Sequence, residues 1–199
     1  MTFPIRQIRA VYDNKTIRVY QAYNDAIANS ALANGTFISP PFKMERMTWI
    51  KPSFLWMMYR SGWAKKDAGQ NRILAIDISR EGFEWALDNS LLSNKVKEFT
   101  DREAWLKLKN STPVRIQWDP ERDIYLQPLE HRAIQIGLSN EAVDLYVNQW
   151  VQKVTDVTEL AAQIKSYVDN NQLEAARTLL PNEVPYNLNT NIKNKIMAD

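Results

Sequence analysis

Aromatic rings and cations alternate over residues 46–66, which read RMTWIKPSFLWMMYRSGWAKK. Three tryptophans, Trp49, Trp56 and Trp63, stand seven residues apart. The cations among and beside them are Arg46, Lys51, Arg60, Lys65 and Lys66. An aromatic face can stack a base or a nicotinamide ring, and a neighbouring cation can hold a phosphate. The segment therefore favours a site for a nucleotide-like ligand, with Trp49 as its stacking wall.

The same segment is predicted to change from extended chain to helix at Pro52. Proline has no N–H to donate and is tolerated best in the first turn of a helix, and glycine commonly follows a helix end. We therefore predict extended chain over Met47–Lys51 and a helix over Pro52–Ser61 that Gly62 closes. Aromatic and methionine side chains at helical spacing are also typical of a core, so the segment is interpreted as both core and pocket wall.

Three glutamines interrupt strands that otherwise carry apolar residues: Gln21 in TIRVYQAY, Gln117 in PVRIQW and Gln135 in HRAIQIGL. A glutamine in such a strand is commonly an interior amide whose hydrogen bonds are made within the protein. The alternative is that the polar faces of these strands form one cleft that offers amides to a ligand. The pattern leaves both interpretations open.

A turn-forming pair, Asp119-Pro120, follows Trp118 in the sequence WDPER. This turn is predicted to project Glu121 and Arg122 from the end of a strand. A carboxylate in that position can orient a sugar hydroxyl or act as a general base. The alternative is an exposed ion pair that contributes little.

His131 is the one histidine of the chain, and it stands beside Arg132 at the start of a strand. An imidazole can act as an acid or a base near neutral pH, but a lone histidine at a strand edge is more often packed or solvent-facing. No spacing indicates a Ser-His-Asp triad. The acids Asp77, Glu81 and Glu84 lack the spacing of a metal site, so no metal is expected.

The composition limits the classes of protein to which the chain can belong. It has 199 residues, a net charge of +2, 45% hydrophobic residues and no cysteine. The hydrophobic content suffices for a core, and the lack of cysteine excludes disulfides and thiolate chemistry. The glycines form neither a Rossmann nor a P-loop motif. Because no signal-like or membrane-spanning run is present, we expect a cytoplasmic protein with no membrane partner.

The apolar pattern predicts an α+β fold, with strands in the first two-thirds of the chain and helices at its end. The predicted strands are Ile5–Val11, Thr16–Tyr23, Arg72–Ser79, Pro113–Trp118 and His131–Leu138.

Helix signals stand between and after these strands. Asn24 and Gly35 are a predicted start and stop, and Thr100 with Glu103 forms a predicted capping box. A helical pattern runs from Glu141 through Val151 and resumes after it. We expect a single domain over 1–199, made of an α+β core (1–155), a C-terminal helical extension (156–185) and a loosely ordered tail (186–199).

Five segments together resemble the family described as domain of unknown function 4291. They are RQIRAVYDNKTIRVYQAYNDAIA, RMTWIKPSFLWMMYRSGWA, ILAIDISREGFEWAL, VRIQWDPERD and HRAIQIGL. The resemblance covers about Arg6 to Thr158 and rests on long motifs that contain rare residues. It implies little chemistry, since the family's activity is unassigned.

The run IRVYQAYNDAIANSALANGTF is similar to the opening of small ADP-ribosyltransferase-like domains. There a strand ending in Tyr-His or Tyr-Arg precedes a helix, and the basic residue contacts an NAD-derived ligand. The resemblance implies an ADP-ribosyltransferase-like fold, a mixed or antiparallel sheet core flanked by helices, with Tyr20 and Gln21 on the nicotinamide side. Gln21 replaces the family's basic residue, and Gln135 or Glu121 would replace its late-strand glutamate.

These patterns lead to the hypothesis that the chain binds NAD or a nucleotide-like ligand and transfers ADP-ribose to a nucleic-acid or protein acceptor. The predicted catalytic residues are Glu121, Gln135 and Gln21. The predicted contacts of the NAD cofactor are Arg18, Tyr20, Gln21, Trp49, Lys51, Ser53 and Arg60, and those of the substrate are Trp118, Arg122, His131 and Arg132.

Two alternatives remain open. A non-catalytic RNA- or nucleotide-binding module that uses the Trp/Arg/Lys-rich segment predicts steep salt dependence and no NAD turnover, although the near-neutral net charge counts against it. In the other, the aromatic segment is core alone, and Lys51→Ala and Arg60→Ala leave every ligand assay unchanged.

Overall fold

Two larger open sheets and one short two-stranded sheet, flanked by helices, form the part of the chain that the computed structural model describes, residues 4–93 and 102–199. The strands are β1 (Arg9–Ala10), β2 (Thr16–Tyr23), β3 (Thr48–Ile50), β4 (Arg72–Ser79), β5 (Ser90–Leu92), β6 (Val114–Arg122), β7 (Pro128–Leu138), β8 (Val151–Asp156) and β9 (Val184–Pro185). The helices are α1 (Asp25–Asn34), α2 (Phe54–Ser61), α3 (Arg80–Asp88), α4 (Arg102–Ser111), α5 (Glu141–Leu145), α6 (Thr158–Asp169), α7 (Leu173–Leu179) and α8 (Thr190–Ile196). The predicted α+β class is confirmed.

The two sheets meet at β2 and β3. In the first sheet β4 lies between β2 and β8, and all pairs are antiparallel. The second sheet has the order β3-β7-β6-β5, and β5 runs parallel to β6. The backbone N–H of Tyr20 in β2 donates to the carbonyl of Lys51, just after β3, at 2.7 Å. We call this junction of β2 with residues 48–51 the seam.

Side chains alternate across β2, so the strand contributes to two separate apolar clusters. Ile17 and Val19 are fully buried in the larger cluster, with residues of β4, β6 and β7. Tyr20, on the opposite face, joins a smaller cluster with residues of α2, α6 and α7. Both faces of β2 therefore contribute buried side chains to the interior.

The predicted change from extended chain to helix in the aromatic segment is confirmed, with β3 followed by α2, but the helix begins two residues after its predicted start at Pro52. Helix α2 begins at Phe54 because Ser53 is its N-cap and accepts a hydrogen bond from the N–H of Trp56 at 3.1 Å. Gly62 ends the helix with a φ of 58°, in the left-handed region. Helix α1 likewise lies between its predicted N-cap and glycine stop.

The prediction of a turn at Asp119-Pro120 is wrong, because β6 continues through both residues to Arg122. Asp119 pairs with Ala133 of β7, and the register shifts between Pro120 and Arg122. Such an irregularity lets a strand contain proline, which lacks a ladder N–H. Glu121 therefore lies within the strand and not on a projecting loop.

Residues 151–156 form strand β8, where the helical pattern was expected to reach Val151. A π-helical turn over Tyr146–Trp150 ends the preceding helix, and the chain then pairs with β4. Val151, Val154 and Thr155 are β-branched and suit a strand, but their spacing is also compatible with a helix. Residues 151–156 are a strand because they pair with β4.

Both ends of the described chain differ from expectation. The strand predicted over Ile5–Val11 is reduced to β1, which pairs with β9. The chain after β1 still turns back onto β2, where Tyr12 bridges to Ile17 and the N–H of Arg18 donates to the carbonyl of Val11 at 2.8 Å. The tail over 186–199, expected to be loosely ordered, contains α8, whose Ile192 and Ile196 are buried in the larger cluster. Ile192 and Ile196 are four positions apart and so share one face of a helix. The polar, Asn-rich composition of the tail did not indicate a helix.

The helix predicted after the capping box is present as α4, which ends at Ser111. Thr100, its predicted N-cap, lies outside the described residues. Within the described ranges, no helix has the length and apolar character needed to cross a bilayer.

We expect Gly82→Ala to destabilise the protein, since a methyl group at this position of α3 would lie 2.3 Å from Cγ of Trp150. Overpacking of this kind should lower the free energy of unfolding by about 1–3 kcal/mol, measured by urea denaturation. Glu81→Ala, at the exposed preceding position, is the control and should cost less than about 1 kcal/mol. Equal losses in the two variants would contradict the close packing of Gly82 against Trp150.

Candidate functional site

A cavity of about 850 Å³ opens at the seam, between β2, β3, the middle and end of α2, and the neighbouring strands β6 and β7. The polar and aromatic side chains that line this seam cavity include Gln21, Lys43, Arg46, Trp49, Lys51, Arg60, Gln117 and Gln135. The volume is in the range of cavities that hold small molecules. Four cations and one carboxylate, Asp67, line the cavity, so it carries an excess of positive charge and suits an anionic ligand.

Lys51 is a buried amine on the wall of the seam cavity, with 5% of the residue exposed. Its Nζ donates to the carbonyl of Trp49 at 3.1 Å, and no ion pair joins it to any described carboxylate. The pKa of Lys51 is lowered to about 7, mainly by burial and in smaller part by the charge of Arg60, while Asp119 acts in the opposite direction. The amine can therefore lose or gain a proton near neutral pH.

Two amides and a carboxylate form a hydrogen-bonded group beside the same cavity. Nε2 of Gln135 donates to Oε1 of Gln117 at 2.8 Å and to Oδ2 of Asp119 at 2.6 Å. Gln117 and Gln135 are directly opposite each other in the β6–β7 ladder, and Asp119 follows two residues on, so the three share one face. The structure thus brings Gln135, a predicted site residue, together with Lys51 and Trp49.

Gln21 also borders the cavity, but its amide is engaged within the protein, and only 3% of the residue is exposed. Its Nε2 donates to Oγ1 of Thr48 at 2.7 Å and to the carbonyl of Trp49 at 3.2 Å. Its Oε1 accepts from the hydroxyl of Tyr146 at 2.7 Å. These bonds agree with the interior-amide interpretation, and they tie β2 to β3 across the seam.

Glu121 and Ser53, two other predicted site residues, meet at the N-terminus of α2 and do not line the seam cavity. Oε1 of Glu121 accepts from Oγ of Ser53 at 2.9 Å and from the N–H of Arg122 at 2.8 Å. A second carboxylate, Glu183, accepts from the N–H of Phe54 at 2.7 Å. Burial raises the pKa of both carboxyls, and that of Glu183 rises to about 8.

The remaining predicted contacts of the cofactor lie on the other face of β2. Arg18 forms an ion pair with Asp77, with 2.7 Å between Nε and Oδ1. Tyr20 is 1% exposed and packs edge-on against the ring of Phe54. Neither residue lines the seam cavity. The alternation of side chains along the strand separates both from Gln21.

The predicted substrate contacts are also not among the residues that line the cavity. Trp118 is buried, and Arg132 donates to its carbonyl at 3.1 Å. The guanidinium carbon of Arg122 lies 3.6 Å from the centre of the Tyr59 ring. His131 is partly buried, which lowers the pKa of its imidazole. The structure does not bring this set together at one site.

The sequence analysis missed three groups that the structure brings to these two places. Asp119 was assigned to a turn, although its position two residues after Gln117 is the spacing of one strand face. Arg46 was noted only as a flanking cation, although it lines the cavity. No local pattern in the sequence indicates a role for Glu183, because its hydrogen-bond partner Phe54 is 129 positions away.

We expect the contribution of Glu183 to the stability of the protein to fall as the pH rises from about 5 to about 8. Its pKa is raised from 4.5 to about 8, so the folded chain keeps a proton that the unfolded chain loses in this interval. The stabilisation from this retained proton is full below a pH of 4.5 and is lost as the pH rises through about 8. Glu183→Gln keeps the acceptor for Phe54 and should flatten this fall, as measured by urea denaturation at several pH values. Parallel pH profiles for the two proteins would contradict the raised pKa.

Comparison with known proteins gives the family of the chain. A search of curated protein sequences found no match. The model of the family described as "Domain of unknown function (DUF4291)" matches residues 7–186. This range extends beyond the resemblance noted in the sequence and includes every residue that lines the seam cavity. Because the match covers most of its length, the chain belongs to the DUF4291 family.

Proposed function

We propose that the protein binds NAD or a nucleotide-like ligand in the seam cavity and acts as an ADP-ribosyltransferase-like protein, transferring ADP-ribose to a nucleic-acid or protein acceptor. The observation that carries the proposal is the buried Lys51 on a cavity wall that also presents Trp49 and Gln135. A buried amine without a carboxylate partner favours the entry of an anion.

Each part of such a ligand finds a matching group in the cavity. Lys43, Arg46 and Arg60 are exposed cations at its margin and can contact a pyrophosphate. The half-buried ring of Trp49 offers a surface for stacking a base or a nicotinamide. The amide of Gln135 can bond ribose hydroxyls or a carboxamide.

The transfer reaction needs a carboxylate near the ribose. The bond between nicotinamide and C1 of the ribose breaks with its electron pair on the nicotinamide nitrogen, and positive charge develops on the sugar. A fixed carboxylate stabilises that charge. Asp119 is bonded to a cavity residue, whereas Glu121 is bonded to Ser53. We therefore assign to Asp119 the part that the sequence suggested for Glu121.

Binding is tested by calorimetric titration of NAD and ADP-ribose into the wild type and Lys51→Met. Methionine keeps the volume of the buried side chain and removes the amine, so we expect at least about a tenfold loss of affinity. Lys153→Met, at an exposed position on β8, is the matched control and should bind as the wild type does. Equal affinity in all three proteins would remove Lys51 from the site and favour the interpretation of the segment as core alone.

The reaction is tested with Asp119→Asn and Glu121→Gln, two isosteric changes that each remove one carboxylate. We expect Asp119→Asn to lower the rate of nicotinamide release from NAD by about a hundredfold and Glu121→Gln to leave it within a few-fold of wild type. The assay is chromatographic detection of free nicotinamide. A large loss of rate in Glu121→Gln with little change in Asp119→Asn would assign the stabilising carboxylate to Glu121 instead. No release of nicotinamide by the wild type would limit the proposal to ligand binding.

A second candidate function, a non-catalytic RNA- or nucleotide-binding module, draws on a different surface. The ring of Tyr59 is 41% exposed, and Arg122 stacks on it. Lys65 and Lys66 are exposed on the same segment. Titration with a short RNA at several salt concentrations separates the two functions. Steep salt dependence together with no binding of NAD or ADP-ribose would favour the module.

A further inference from the structure

Lys51 places a primary amine in surroundings that are unusual for lysine. The residue is 5% exposed, yet it lines the seam cavity. Among the described residues, the hydrogen bond from Nζ to the carbonyl of Trp49 is the one bond that this amine makes. The other positions on the nitrogen are therefore free of protein partners within the described chain.

The charges around this amine favour its neutral form. Desolvation and the nearby charge of Arg60 lower the pKa of Lys51 to about 7, and Asp119 acts in the opposite direction. Lys43 and Arg46 add positive charge to the same cavity, and Asp67 adds one negative charge. A neutral amine is a nucleophile, and desolvation or a neighbouring cation is the usual way in which proteins activate lysine for attack on a carbonyl carbon.

The same cations that favour the neutral amine also attract an anionic ligand. Arg46 and Arg60 are exposed at the cavity and can hold a phosphate group while the amine meets another part of the molecule. A ligand with a phosphate at one end and a carbonyl at the other would use both features. Phosphorylated sugars that open to an aldehyde have this chemistry.

We propose that Lys51 condenses with the aldehyde of a phosphorylated sugar held in the seam cavity, forming an imine. This inference rests on the proposed function only in that the same cavity binds the ligand. The nitrogen lone pair attacks the aldehyde carbon and gives a carbinolamine. The hydroxyl then leaves with the second nitrogen proton as water, and a carbon–nitrogen double bond remains. The amine and the aldehyde are thus converted to an imine and water, and no oxidant or reductant takes part.

The choice of probe separates this reaction from binding. ADP-ribose ends in a free ribose that opens to an aldehyde, whereas the same carbon of NAD is blocked by nicotinamide. Ribose 5-phosphate carries a phosphate and an aldehyde without the adenosine part, and ribose carries the aldehyde alone. We expect ADP-ribose and ribose 5-phosphate to react, ribose to react at least about tenfold less, and NAD not to react.

The experiment traps the imine with sodium cyanoborohydride and locates the adduct by intact mass and peptide mapping. We expect an adduct on Lys51 that forms faster as the pH rises through about 7, because the neutral amine reacts. Lys51→Arg keeps the charge and should abolish this adduct, whereas Lys153→Arg, at an exposed position, should retain it. If Lys51→Arg does not fold, the peptide map of the wild type decides the site.

Adducts spread over the exposed lysines, and unchanged in Lys51→Arg, would overturn the proposal. Failure of this inference is distinguishable from failure of the proposed function. ADP-ribose that binds in calorimetry but gives no adduct on Lys51 would refute the imine and leave the binding site in place. An adduct on Lys51 from ribose 5-phosphate, with no binding of NAD or ADP-ribose, would refute the proposed function and support the reactive lysine.

Discussion

The structure depends on the seam, where the two larger sheets are joined. The strands β2 and β3 share few backbone hydrogen bonds there. Tyr20 donates to the carbonyl of Lys51, and the amide of Gln21 adds bonds to Thr48 and Trp49. A side-chain amide thus does part of the work that a β-ladder does elsewhere. Because Tyr20, Gln21, Thr48 and Lys51 are buried, an unmade bond here would cost more than one at the surface. These bonds therefore fix the position of β2 relative to residues 48–51, and this position determines the shape of the cavity beside the seam.

The chemistry of the cavity follows from the same junction. The backbone of Lys51 is held by β2, so its side chain lies in the interior, where an ammonium group is costly. The amine responds with a lowered pKa, and the neighbouring charge of Arg60 adds to the effect. A cavity with excess positive charge and no ion pair at its buried amine is suited to anions. Ligand binding and amine reactivity would then share one cause, the burial of Lys51.

Strand β6 divides the polar groups of the protein between two places. Gln117 and Asp119 lie on the cavity side, while Trp118 enters the larger apolar cluster. The register shift between Pro120 and Arg122 interrupts this alternation, and Glu121 bonds to Ser53 at the N-terminus of α2. The carboxylate of Glu121 is thereby separated from the carboxylate beside the cavity. One irregularity in a strand thus decides which acid can approach a bound ligand.

The sequence by itself determined the elements whose signals are local. Asn24, Gly35 and Gly62 mark helix ends, and the two faces of β2 follow from the period of a strand. Tertiary structure decided whatever depends on a distant partner. Residues 151–156 became a strand by pairing with β4, and Gln21 became an interior amide by meeting Tyr146, 125 positions away. Local propensity is a short-range energy, whereas burial and hydrogen bonding between remote segments exist only once the chain has folded.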